Sequence, residues 1–253
     1  MSSPVAFLVG FVVAASPVFA QQPPVETVTQ VIRQKPKPGM EAQYEAGRKK
    51  HMAWHKAQND PWTWNVYEIT TGPDTGGYLV ASGNHSWADI DTWTGKHGAA
   101  DTADSASSIG PNSASAEVSY WVQMNGISRL PPAGQQAPML TLTVYYTRPG
   151  HDAAFTATVG KLQKMLETAK FPLHGIWYRL ASGGEMPAYA VVTPRANFAA
   201  MAPTPSLMEV VTKQVGDAEA QKLSDEFFSH VTKITTELLQ HRVDLGYLPN
   251  TSN

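Results

Sequence analysis

Two stretches of the chain repeat one alternation of strand-like and helix-like segments. Thr27 to Arg33 and Leu140 to Tyr146 carry β-branched and aromatic residues at strand density. Each is followed by a Pro-Gly pair, Pro38-Gly39 or Pro149-Gly150, which marks a turn. Met40 to Gln58 and His151 to Lys170 are then rich in Ala, Glu, Lys, Gln and Met, good helix formers, and Pro61 or Pro172 ends the element. Two short strands come next in each half, Trp62 to Ile69 with Tyr78 to Gly83, and Gly175 to Leu180 with Tyr189 to Thr193, joined by Gly-rich turns. A second helix is clearest from Asp217 to Lys233. Its counterpart, Ala99 to Ala116, has Asp, Ser, Gly and Pro interspersed and reads as a flexible loop. Final strands are predicted at Glu117 to Met124 and Ile234 to Arg242.

Shifting the chain by 111 residues lays Pro38-Gly39 on Pro149-Gly150. Ungapped, the same shift pairs Ala42/Ala153, Lys50/Lys161, Pro61/Pro172, Tyr67/Tyr178, Gly72/Gly183 and Tyr78/Tyr189. The expectation is a tandem duplication. The order β-α-β-β-α-β is the split unit of the ferredoxin-like fold, whose sheet has helices on one face only. Two copies cover the bare faces by packing sheet to sheet as an intramolecular α/β barrel, an α+β architecture. This divides the chain into a first repeat at 21–130, a Pro-rich linker at 131–138 and a second repeat at 139–253.

The topology and the opening Lys35-Pro36-Lys37-Pro38-Gly39-Met40-Glu41-Ala42-Gln43-Tyr44 resemble the dimeric α/β-barrel superfamily over roughly residues 25 to 249. That superfamily includes NIPSNAP-like proteins, antibiotic-biosynthesis-type and heme-degrading monooxygenases, and chlorite dismutases. No single family's catalytic signature is matched. The resemblance implies a ligand pocket between sheet and helices.

The remaining composition narrows the context. Val5 to Val18 is an apolar run too short to span a bilayer, and Val18-Phe19-Ala20 fits a signal-peptidase site. Residues 1–20 therefore read as a signal peptide, and the mature chain as exported, periplasmic or extracellular, with no membrane span. The 253 residues contain no Cys, which excludes disulfides, thiolate metal sites and cysteine nucleophiles. A net charge of -2, without clustered Lys or Arg, argues against nucleic acid. A monomer or weak dimer is expected.

The chemistry lies where the halves differ. In the second half Phe155, Val159, Leu162 and Leu166 form an apolar helical stripe; the matching residues in the first are Tyr44, Arg48, His51 and His55. Such a stripe is solvated, joined in an internal polar network, or lines a cavity. His51 and His55, one turn apart, form the candidate catalytic and metal-binding pair. No cofactor is predicted outright; heme or a divalent metal stays open for the pair. Tyr44, Arg48, Trp54, Trp62, Trp64, Trp87 and His97 are the candidate ligand-binding residues, suited to a small apolar or aromatic ligand. Glu68 and Arg179, at equivalent positions with opposite charge, are expected to pair. Two readings follow: a non-catalytic small-molecule-binding protein, or a cofactor-poor or heme-type monooxygenase acting on a flat aromatic substrate.

Overall fold

The structure is a computed structural model that describes residues 26–132, 137–202 and 205–249; the predicted signal peptide and the middle of the linker lie outside them. The first half runs β1 (Val28–Pro36), α1 (Glu41–Ala57), β2 (Asn65–Ile69), β3 (Tyr78–His85), α2 (Trp87–Ser108) and β4 (Ser113–Gln123). The second runs β5 (Met139–Thr147), α3 (Asp152–Thr168), β6 (Ile176–Ser182), β7 (Ala188–Arg195), α4 (Leu207–Val215), α5 (Asp217–Ser229) and β8 (Val231–His241). The strand–Pro-Gly–helix openings form as expected. Gly39 and Gly150 hold φ values of 77° and 83°, a region glycine enters without steric penalty.

All eight strands join one closed antiparallel barrel in the order β1-β3-β2-β8-β5-β7-β6-β4. The halves do not stack face against face as two sheets. They meet edge to edge, β2 on β8 (Tyr67 opposite His241, Ile69 opposite Leu239) and β4 on β6 (Trp121 opposite Leu180). Closure pairs every strand on both sides and leaves no sheet edge unsatisfied. The bare faces become the barrel interior and the helices form the outer layer.

Strand alternation explains the near-continuous apolar runs. On β3, Tyr78 and Val80 face outward to the helices while Leu79 faces inward; on β7, Ala188 and Ala190 face inward and Tyr189 outward. Three cores result. One lines the barrel interior, with Ile69, Leu142, Val144, Leu180 and Leu239. A second lies under α1 and α2, with Tyr44, Met52, Trp62, Trp64, Val66 and Trp93. The third lies under α3, where Phe155 and Val159 meet Trp177 and Tyr189.

Three expectations need correction here. The stretch from 99 to 116 is no loop: α2 runs to Ser108 and β4 begins at Ser113. Its start is a capping box, with the Ser86 hydroxyl accepting from the Asp89 backbone and the Asp89 carboxylate accepting from the Ser86 backbone. The Asp217 helix stops at Ser229, so Lys233 belongs to β8. Glu68 and Arg179 do not pair either. Glu68 accepts from Arg242 at 3.2 Å, and Arg179 lies 3.8 Å from Glu26. No helix among the described residues is long and apolar enough to cross a membrane.

α1 and α2 approach closely at Gly47. A Cβ there would sit 2.1 Å from the Ser108 carbonyl oxygen, backbone that cannot swing away. Gly47→Ala is expected to destabilise the protein by about 2–4 kcal/mol through this overlap. Gly160→Ala, on α3, meets only Ile127 Cγ2 at 3.5 Å and should be neutral or stabilising by up to about 1 kcal/mol. Denaturant unfolding of the two variants checks the contrast; equal effects would dismiss the close approach.

Candidate metal centre

The polar stripe of α1 is fully enclosed. Tyr44, Arg48, His51 and His55 are all buried, covered by α2 and by the segment around Trp62 and Trp64. His51 Nδ1 lies 2.8 Å from Asp104 Oδ2, and His55 Nδ1 lies 2.7 Å from Asp60 Oδ2. An ionised carboxylate only accepts, so each neutral ring donates from Nδ1 and keeps a lone pair on Nε2. Those two Nε2 atoms face one another at 3.2 Å. Asp101 Oδ1 completes a triangle, 3.3 Å from His51 Nε2 and 3.8 Å from His55 Nε2.

Three Lewis-basic atoms therefore converge with no donor between them. One added proton can link the two nitrogens; a divalent ion can bond all three atoms. A point equidistant from atoms so spaced lies about 2.0 Å from each, which matches imidazole and carboxylate bonds to zinc. Carboxylates on the outward nitrogens are also the usual partners of metal-ligating histidines, because they fix the tautomer and turn the ring.

Asp60 anchors one side. It is buried and accepts from His55, from the Trp62 backbone N–H at 2.8 Å and from Trp64 Nε1 at 2.8 Å. The segment after β8 closes over it: Tyr247 donates its hydroxyl to the Asp60 carbonyl at 2.9 Å and pairs its backbone with Trp64. The second half of the chain thus helps to shape a centre made of first-half residues. On the α1–α2 seam, the Asp101 and Asp104 side chains stay 24% and 19% exposed, so the carboxylate side of the triangle borders solvent.

The other candidates fall at graded distances. Trp54 stacks beside His51, and Trp64, Trp93 and Tyr247 surround His55, with ring centroids 5.1 to 6.4 Å from it. His97 is half-buried and stacks on Trp93 at 4.3 Å, in the aromatic wall and not among the converging atoms. Trp62 joins the same wall and stacks on His85 at 3.8 Å. Trp87 is exposed at the start of α2 and packs against Tyr120, outside the cluster. Tyr44 serves packing. Its hydroxyl donates to Gln34 at 2.7 Å, its ring stacks on Tyr78, and burial pushes its pKa up to about 12.

Sequence reasoning missed Asp60, Asp101 and Asp104. Asp101, Asp104 and Ser108 recur at i, i+3 and i+7, one face of a helix, and the Ser86–Asp89 box announces that helix. Reading the stretch as a loop hid both signals. A cavity of about 1340 Å³ lies inside the barrel, bordered by Tyr67, Leu79, Leu142 and Tyr178 and reaching Trp62 and His85. That places open space within the barrel, where the resemblance implied a pocket between sheet and helices.

No protein-family model and no curated protein matches the chain. Solved structures do. A monooxygenase-like protein from Lactobacillus acidophilus NCFM superposes with a TM-score of 0.55 at 8% identity, over 88% of this chain and 97% of its own. An anthrone oxidase-like protein gives 0.55 at 16% identity, over 86% and 92%. A mutant chlorite dismutase from Candidatus Nitrospira defluvii gives 0.56 at 7% identity, again over 86% and 92%. The chain has the fold of the ferredoxin-like α/β barrels. At such identities the likeness concerns fold alone.

Removing the Asp60 carboxylate would leave three buried donors without an acceptor. Asp60→Ala is expected to cost about 3 kcal/mol or more, while Asp104→Ala, on the partly open seam, should cost about 1 kcal/mol. Chemical denaturation measures both, and an Asp60→Ala loss no greater than that of Asp104→Ala would contradict the anchoring role.

Proposed function

We propose that this chain is an exported metal-dependent enzyme of the oxygenase type, acting on a small flat aromatic molecule. The carrying observation is the triangle of His51 Nε2, His55 Nε2 and the Asp101 carboxylate, sized for one transition-metal ion. Two imidazoles and a carboxylate with coordination positions left over is a donor set associated with non-heme iron oxygenases. Fold neighbours described as monooxygenase-like and anthrone oxidase-like support the reaction class. In this reading a bound metal would activate dioxygen, the oxidant of the reaction. His51, His55 and Asp101 hold the metal, Asp60 and Asp104 orient the rings, and the surrounding tryptophans keep bulk water away.

Heme does not fit the pair. A porphyrin iron needs open space in front of one axial nitrogen, whereas each Nε2 here has the other 3.2 Å away and His55 is walled by Trp64, Trp93 and Tyr247. Export rests on the apolar run from Val5 to Val18. Origin by tandem duplication is supported by the 111-residue correspondence and by paired roles. Tyr78 on β3 and its match Tyr189 on β7 each donate to an acid on the first helix of their half, Glu45 and Asp152, both at 2.7 Å.

The competing reading, ligand carriage without reaction, is favoured by the cavity lying in the barrel instead of at the histidines. One experiment separates the two. Chelator-stripped protein titrated with Co(II) should bind one equivalent and gain about 2.7 kcal/mol of stability at a hundredfold excess over Kd. His51→Leu/His55→Leu and Asp101→Asn should lose that site. Loaded anaerobically with Fe(II) and then given oxygen and anthrone or hydroquinone substrates, the native protein should consume oxygen, and the variants should not. Stoichiometric metal without oxygen uptake would favour carriage; absence of stoichiometric metal would sink the metal centre.

A further inference from the structure

Among the described residues Arg48 is the largest fully buried side chain, 2% exposed, and its Nε and Nη2 atoms have no hydrogen-bond partner there. A guanidinium cannot escape by losing its proton, so a buried, unpaired one is a large standing cost. Nothing in the packing demands it. The matching residue of the second half is Val159, also fully buried, at the same helical phase. Tyr44, one turn before Arg48, has its hydroxyl committed to Gln34. Asp101 is near enough for its charge to act on the guanidinium but forms no salt bridge with it. Arg48 therefore stands on the face that carries both histidines, beside the carboxylate that completes the triangle, with two donors free.

From this we infer that Arg48 binds an anionic oxygen ligand, a carboxylate or a comparable planar oxyanion, held jointly by the guanidinium and the metal. The inference rests on the metal centre proposed above and names the chemical class of its ligand: a small carboxylate or comparable anion with two oxygens to offer. Arg suits the task because its fixed fork presents two parallel N–H donors to two oxygens. An anion between a buried cation and a metal ion also relieves the repulsion the two would otherwise share.

The test uses the full mature chain loaded with Co(II), titrated with benzoate and separately with acetate, and followed by the visible cobalt bands. The native protein should show a saturable spectral change at one equivalent. A benzoate affinity at least tenfold above that of acetate would assign an aromatic carboxylate, and equal affinities a small carboxylate recognised by its two oxygens alone. Arg48→Met should keep Co(II) stoichiometry, lose the anion response at least tenfold, and be more stable than the native protein when no anion is present. Arg48→Lys should retain a weakened response. A cobalt-loaded native protein blind to both anions would overturn the inference. So would Arg48→Met that responds like the native protein, or that is destabilised at every anion concentration. Should the native chain take up no cobalt, the metal reading fails by itself, and calorimetry of benzoate with native and Arg48→Met protein still decides what Arg48 binds.

Discussion

The tautomers of two histidines govern this centre. Asp104 and Asp60 occupy the Nδ1 sides of His51 and His55, so both remaining lone pairs are forced inward. Were either outward partner a donor, one imidazole could turn its N–H to the other and the pair would close as an ordinary hydrogen bond. Because both are carboxylates, the inward side has a surplus of electron pairs, to which Asp101 adds another. This arrangement turns a polar patch in a core into a cluster of lone pairs that one added proton or one metal ion would satisfy.

Barrel closure is what makes the arrangement rigid. Joining β2 to β8 brings the chain that follows β8 over the first half, where Tyr247 bonds the Asp60 carbonyl and pairs with Trp64. Asp60 is held in turn by Trp62 and Trp64 just before β2. A carboxylate locked from both halves has little freedom to follow a proton, so His55 stays oriented whatever occupies the triangle. Asp104 and Asp101 come instead from α2, which reaches α1 only because residue 47 lacks a side chain. One ligand wall is thus set by the barrel, the other by a helix contact on its outer face.

Legibility in the sequence followed burial. Strands with two apolar faces, the Pro-Gly turns and the long helices α1 and α3 carry patterns that survive without tertiary information, and they were placed within a few residues. The contrast of Tyr44, Arg48, His51 and His55 with Phe155, Val159, Leu162 and Leu166 located the centre. Its acids were not legible, because α2 owes its helicity to capping and packing. Gly95, Gly98 and a run of Ser and Asp give it poor intrinsic propensity, and only Ile90, Trp93 and Ser108 are buried on it. Such a helix is stable because tertiary contacts hold it. The edge-to-edge meeting of the halves was invisible for another reason. Strand pairing between distant segments depends on register, and it is β8 that brings Arg242, rather than the equivalent-position Arg179, to Glu68.

The two halves also differ in what their first helices must satisfy. In the second, Phe155, Val159 and Leu166 need only volume, and each can change nearly independently. The polar stripe cannot be altered piecemeal. His55 without Asp60 loses its orientation, and Asp60 without His55 keeps Trp64 but is left an unbalanced buried charge. Sites coupled in this way respond non-additively to substitution, so the set is stable only as a whole. The first half thus carries a set of polar groups that must change together, at the positions where the second half shows plain hydrocarbon fits.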